Sequence, residues 1–392
     1  MHAAAGMMPA MSCTHLHDPV MEVVIMPDPH NEPIAQAKLH WYRIPLDRAV
    51  LAELNQRSDA WGFAQTLGHL SIIIATAALS WYASQQWSWF VLAGCLFLHG
   101  TVYAFLLNAF HELCHNTVFK TRSLNRFFLY LVSFLGGLNH VYFWASHQEH
   151  HKYTLHQPDD MEVILPVEIT LKGFLTTAFI NPLGLFARCK SWILLSSGRL
   201  ENDWQRILFP EHKPAGRREL FTWARILLIG HTLIVFQALF TGWWMLPVLI
   251  TLAPFYGGLL LFLCNNTQHV GLRDEVEDFR LCTRTIYLNP MVQFLYWHMN
   301  YHIEHHMYAG VPCYKLARVH RAIQHELPYT ANGLYETWRI IIAILRRQKQ
   351  EPAYQFVPEL PVAAGPHYEK DTGNAEPPRH RRQRLLERHN RQ

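Results

Sequence analysis

Histidine is the residue type that stands out. The 392-residue chain carries 26 of them, against 34 Lys and Arg combined, and many fall in tight groups. His111-Glu-Leu-Cys-His115 spaces two imidazoles four apart, so that one helix face offers both to one metal. His147-Gln-Glu-His150-His151 and His302-Ile-Glu-His305-His306 each repeat an i, i+3, i+4 pattern, and His269 follows directly on a long apolar run. Nine imidazoles exceed the needs of one tetrahedral ion and suit two metals. Nitrogen donors of this kind accept zinc, copper and iron alike, so the ligand type alone does not choose the element. Zinc has no accessible redox step, so redox chemistry at such a site would need another element.

Single histidines have a simpler explanation. A lone His on a helix is usually a hydrogen-bonded core or surface residue, and His69, His99, His140, His231 and His320 are read that way. His298, one turn before His302, is read as a supporting partner rather than a ligand. Glu112, Glu149 and Glu304 neighbour the groups and could orient ring N–H groups, or equally face solvent on amphipathic helices. His111–His115 also satisfies the H-E-x-x-H pattern of zinc proteases. The longer form of that pattern needs Gly at 118 and His at 121, where this chain has Val118 and Thr121. Residues 116–148 supply no Asp or Glu as a third ligand, and the chain has no Asp-Gly dipeptide. The protease reading is poor.

Four apolar segments are long enough to position these groups at a membrane: about Gly62–Ala83, Trp87–Phe110, Ile226–Trp243 and Met245–Cys264. At 1.5 Å per residue the longer ones cover the ~30 Å hydrocarbon core. They form two hairpins with tight links at Ser84–Gln86 and Gly242–Trp244, neither containing Lys or Arg. The connecting region is rich in them: Lys120, Arg122, Arg126, Lys152, Arg188, Lys190, Arg199, Arg206, Lys213, Arg217 and Arg218. The positive-inside bias therefore places both termini, the 111–224 region and every histidine group on the cytoplasmic side. Trp87, Trp89, Trp243 and Trp244 would form the aromatic belt of the opposite face. Phe127–Leu138 and Leu171–Phe186 read as interfacial or re-entrant helices, and Leu334–Leu345 as an amphipathic surface helix. The fold class expected is an all-α membrane protein: four transmembrane helices in two hairpins with a cytoplasmic helical cap that carries the metal site.

Composition agrees with this organisation. Half the residues are hydrophobic, 16% are charged and the net charge is +4. Much of that charge lies around Arg379–Arg391, a solvated tail rather than a nucleic-acid site. Cysteines 13, 95, 114, 189, 264, 282 and 313 form no C-x-x-C pair, which argues against a disulfide framework or a cysteine zinc site. The N-terminal residues lack the apolar core of a cleaved signal peptide. Three regions are expected: 1–58, cytoplasmic and disordered to about Pro33; 59–345, the membrane and cap domain; and 346–392, a basic disordered tail.

At the histidine groups the chain resembles the membrane fatty acid desaturase and hydroxylase superfamily. The matching segments are HELCH, WASHQEHH, NNTQH and NYHIEHH, in that order, with a pair of spans between the second and third histidine boxes. The resemblance implies two irons that activate dioxygen, held by His111, His115, His147, His150, His151, His269, His302, His305 and His306. Asn265 occupies the place where the family often has an Asn holding a metal-bound water. Trp144, Asp160 and Asn300 fall at supporting positions. The implied reaction desaturates a fatty acyl or other lipid chain, with hydroxylation of a lipid or small metabolite as the alternative. The chain shows no Gly-rich dinucleotide fingerprint, flavin domain or fused haem domain, so a separate electron donor of ferredoxin or cytochrome type, with its reductase, is implied. Basic residues at 188–218 and 346–347 are candidates for docking it. A membrane metal carrier would instead place ionisable residues deep in the spans, yet the four segments contain no Asp, Glu, Lys or Arg.

Overall fold

The computed structural model describes residues 39–167 and 169–361, so the expected disorder before Pro33 and the basic Arg379–Arg391 tail lie outside the described residues. Almost all regular structure is helical. After the short α1 (Arg48–Leu54), the chain builds α2 (Asp59–Gln86), which Ser58 caps by accepting from the Trp61 N–H. Then α3 (Trp89–Ala104) and α4 (Leu106–Cys114) run on as one apolar unit with a break at Phe105. α2 and α3 form the first expected hairpin, with its turn at Trp87 and Ser88.

α5 (Arg122–Leu135) and α6 (His140–Tyr153) follow, bent at 105° to each other. α7 (Leu171–Ala178), α8 (Pro182–Ser196) and α9 (Asp203–Leu208) lead to α10 (Pro214–Thr241). Asn181 splits the Leu171–Phe186 stretch by capping α8, accepting from the Gly184 N–H. α10 opens on Pro214 at its first turn and stops at Gly242, whose φ of +73° is the left-handed conformation that ends helices. It starts earlier than the expected Ile226, its first turns carrying Arg217, Arg218 and Glu219.

Among the described residues, three helices are thus long and apolar enough to cross a membrane: α2, α3–α4 and α10. The expected fourth span, 245–264, is not one helix. It consists of α11 (Met245–Leu249), a 3-10 turn (Ala253–Phe255) and α12 (Leu259–Asn265). Pro247 and Pro254 remove helix N–H donors, and Gly257 turns the chain at φ +69°. The broken segment lies backbone to backbone on α3. A Cβ on Gly100 would collide with the Tyr256 carbonyl oxygen, and one on Gly257 would meet that of Phe97 at 2.6 Å. Thr101 fastens the contact by donating to the Gly257 carbonyl at 3.0 Å.

The remaining elements are α13 (Phe279–Cys282), β1 (Ile286–Tyr287), α14 (Pro290–Leu295), α15 (His302–Met307), α16 (Leu316–Ile323), β2 (Ala331–Asn332) and α17 (Gly333–Gln350). α17 covers the amphipathic helix expected at Leu334–Leu345. β1 and β2 pair in parallel, Ile286 with Ala331, and are the named strands among the described residues.

The hairpin tips lie together: Trp81 and Trp243 meet edge to face at 5.9 Å. Trp87, Trp89, Trp243 and Trp244 are all exposed there. The start of α2 lies at the other end, where Asp59 accepts from the backbone and hydroxyl of Thr121 just beyond the first histidine box. Inside the apolar layer the single histidines tie helices together. His69 bonds the Val102 carbonyl and accepts from Trp297, His99 joins Thr76 to the Leu249 carbonyl, and His231 joins Thr251 to the Phe134 carbonyl.

Candidate metal centre

α4 carries His111 on its last turn and is capped by His115; α6 carries His147, His150 and His151; α15 carries His302, His305 and His306. His269 follows α12 by one turn. The fold brings all nine rings together in two adjoining groups. His111, His115, His147, His151 and His305 hold their donor nitrogens within 4.8 Å of one another, and so do His150, His269 and His306. His302 joins the second group, its Nε2 lying 2.9 Å from that of His269 and 3.2 Å from that of His306. His151 is the seam, with its ring 4.9 Å from His305 and 4.5 Å from His306.

Hydrogen bonds at the far side of the rings fix which nitrogen points inward. His111 meets Glu112 at 3.0 Å, His147 meets Glu162 at 2.8 Å and His150 meets Asp160 at 2.8 Å, each through Nδ1. His269 gives its Nδ1 proton to the Cys282 carbonyl at 2.9 Å. Thr154 donates to the His150 carbonyl, so its oxygen is free to accept from His306 Nδ1 at 3.3 Å. With the proton on Nδ1, the Nε2 atoms of His111, His147, His150, His269 and His306 present lone pairs to the centre. Nε2 atoms also approach one another at 3.1 Å (His147 with His115), 3.0 Å (His151 with His147) and 3.2 Å (His305 with His151). Nitrogen donors converging this closely are the arrangement a cation among them requires, so the donor set fits bound metal.

The surroundings agree. Burial and the neighbouring imidazoles hold His302, His305 and His306 well below the usual histidine range, in the neutral form a metal needs. Burial pushes the Glu162 carboxyl up to about 8, a cost that a cation among the rings would offset. Asp160, wholly buried, is also held by backbone N–H groups of Leu155 and Glu162.

Residues 40–46 close one side of the centre. Trp41 stacks on Phe279 at 4.1 Å, and Phe279 lies 5.3 Å from the His306 ring. Tyr42 donates to Glu326 and lies beneath the buried Arg280 guanidinium, which is bidentate to Asp278.

Other expected residues take varied places. Asn265 ends α12 with its side-chain oxygen buried and without a hydrogen-bond partner, a free acceptor one turn before His269. His298 belongs to neither group and bonds Gln293. Asp160 bonds His150, Trp144 packs edge-on to His115, and Asn300 donates to the Ile286 carbonyl. Glu149 faces outward to Lys152. Glu162 and the Cys282 carbonyl were not foreseen. A backbone carbonyl leaves no mark on residue type, and Glu162 lies beyond a loop whose path the spacing does not reveal.

Residues 87–338 match the sequence profile of the family described as fatty acid desaturase. Among curated proteins the chain is similar to a "Sphingolipid delta(4)-desaturase DES1-like" of Oryza sativa subsp. japonica, 26% identical over 75% of this chain and 83% of the relative. A protein of the same name from Arabidopsis thaliana is 26% identical, covering 72% of this chain and 77% of the relative. The "Delta(6)-fatty-acid desaturase fat-3" of Caenorhabditis elegans is 22% identical over 76% of this chain and 72% of its own length.

Proposed function

The chain belongs to the fatty acid desaturase family, and from that premise we propose that it is a membrane di-iron oxidoreductase that introduces a double bond into the acyl chain of a lipid. The observation that carries the reading is the convergence of nine imidazoles, seven of them buried and His115 and His151 half-buried, with their Nε2 atoms turned inward. One iron would be held by His111, His115, His147, His151 and His305. The other would be held by His150, His269, His302 and His306, with Asn265 beside it. Bound there, the metal pair supplies the redox chemistry with dioxygen that ordinary side chains lack.

The overall conversion removes two hydrogens from neighbouring carbons. Dioxygen, two electrons and two protons balance it, leaving two waters. The electrons come from a separate one-electron carrier protein of ferredoxin or cytochrome type, and its reductase. The chain's own residues organise the site. Glu112, Glu162, Asp160 and the Cys282 carbonyl hold the rings at their angles. The Trp41–Phe279 stack keeps water off the His306 side. The apolar surfaces of α2, α3–α4 and α10 suit an acyl chain lying against them. Two of the similar proteins carry a sphingolipid desaturase name and one a fatty acid desaturase name, which supports an acyl lipid as substrate. The histidine end faces the cytoplasm in this reading, because the hairpin links lack basic residues.

The test uses membranes carrying the protein, a reducing system and labelled acyl lipids, with products resolved by mass. Loss of two mass units in the acyl chain is expected, and it should vanish in His150→Ala and His305→Ala while both variants still insert. Undiminished turnover in those variants would remove the histidines from the reaction.

A further inference from the structure

The third histidine box differs from the others in how its rings are held. His302 and His305 have no hydrogen-bond partner at Nδ1, and Glu112 lies 3.6 Å from that atom of His305. Yet α15 serves both groups, His305 in one and His302 and His306 in the other. Of its three rings, His306 is held by Thr154 at 3.3 Å, and the helix needs a further fixing point for the other two.

Glu304 occupies that role's place. It sits on α15 between the ring-bearing residues and is 0% exposed. One carboxylate oxygen accepts from His320 Nδ1 at 2.5 Å, and the other accepts from the Thr285 hydroxyl at 2.5 Å. Thr285 in turn accepts from the Ile303 N–H, serving as the cap that Tyr301, at the N-cap position, does not provide. His320, buried on α16, is oriented by the Tyr287 hydroxyl 2.9 Å from its Nε2. The chain Tyr287–His320–Glu304 thus runs from β1 through α16 to the back of α15. A rotation of α15 about its axis would break two short hydrogen bonds to a buried carboxylate, which is costly.

We propose that His320 is a positioning residue for the metal centre: by holding Glu304 from behind, it sets the rotation of α15 and so the aim of His302, His305 and His306. This inference rests on the metal reading above. It predicts that one ring nitrogen matters more than the volume of the side chain. In His320→Asn the amide nitrogen replaces Nδ1 and keeps the bond to Glu304. In His320→Gln the amide nitrogen replaces Nε2 and loses it.

The experiment loads full-length protein with ferrous iron and follows its transfer to bathophenanthroline for wild type, His320→Ala, His320→Asn, His320→Gln and Tyr287→Phe. Release about 10-fold faster or more is expected for the Ala and Gln variants, the range found when a group orienting a metal ligand is lost. The Asn variant should stay near wild type, and Tyr287→Phe should shift less than Gln. Equal rates for Asn and Gln, or wild-type rates throughout, would overturn the proposal, because a packing role treats Asn and Gln alike. Should His320→Ala fail to fold, the Asn–Gln pair decides. A wild-type protein that binds no iron would overturn the metal reading itself, and that outcome is separately visible.

Discussion

The first two histidine boxes and the third reach the same centre by different means. On α4 and α6, rings are pinned one at a time: His111 by Glu112, His147 by Glu162, His150 by Asp160. On α15, Thr154 holds His306, while His302 and His305 have no partner at Nδ1 and follow a helix that is itself pinned. The difference tracks chain geometry. α6 ends in a loop that folds back on its own helix, so nearby carboxylates can meet its rings. α15 has six residues, too few to hold its own rotation, so it is clamped from β1 and α16. Loss of one support frees one ring on α4 or α6, whereas loss of the clamp frees the rings of α15 together.

The largest effect that sharpens this contrast is expected at Asp160. It pins His150 and also anchors the backbone of Leu155 and Glu162. Asp160→Ala should weaken iron binding about 10- to 100-fold, whereas Asp160→Asn, which keeps an acceptor oxygen, should fall less. Iron titrations of the two variants would read this directly, and equal losses would show that the charge rather than the ring bond matters. A smaller effect is expected from pH on metal-free protein. His302, His305 and His306 stay neutral in the folded chain well below the usual range, while the unfolded chain takes up protons near ~6.5. The unfolded state then binds more protons, so stability should fall as pH drops below that value. Thermal unfolding of stripped protein at pH 7.5 and 5.5 measures it. A flat response would mean that α15 swings its rings into water when no metal holds them.

How much of this was legible in the sequence follows the physics of each signal. α2 and α3–α4 were visible as unbroken apolar runs, three histidine groups as helix-face spacing, and His269 by its place just after an apolar run. The 245–264 run misled, because hydropathy does not register that Pro247, Pro254 and Gly257 break the helix. α10 begins before its apolar stretch, since Arg217 and Arg218 lie on turns whose polarity hides the helix. Asp160 was read from its neighbourhood, but Glu162, the Cys282 carbonyl and the His320–Glu304 bond depend on how distant segments meet. A single histidine such as His320 looks ordinary until its partner is known.

The most direct measurement is the metal content of purified protein by elemental analysis, with spectra taken after reduction and again after exposure to oxygen. The nine inward-facing imidazoles predict about two irons per chain, with spectra that change on oxygen. A single zinc, or function undiminished after complete removal of metal, would contradict the di-iron centre.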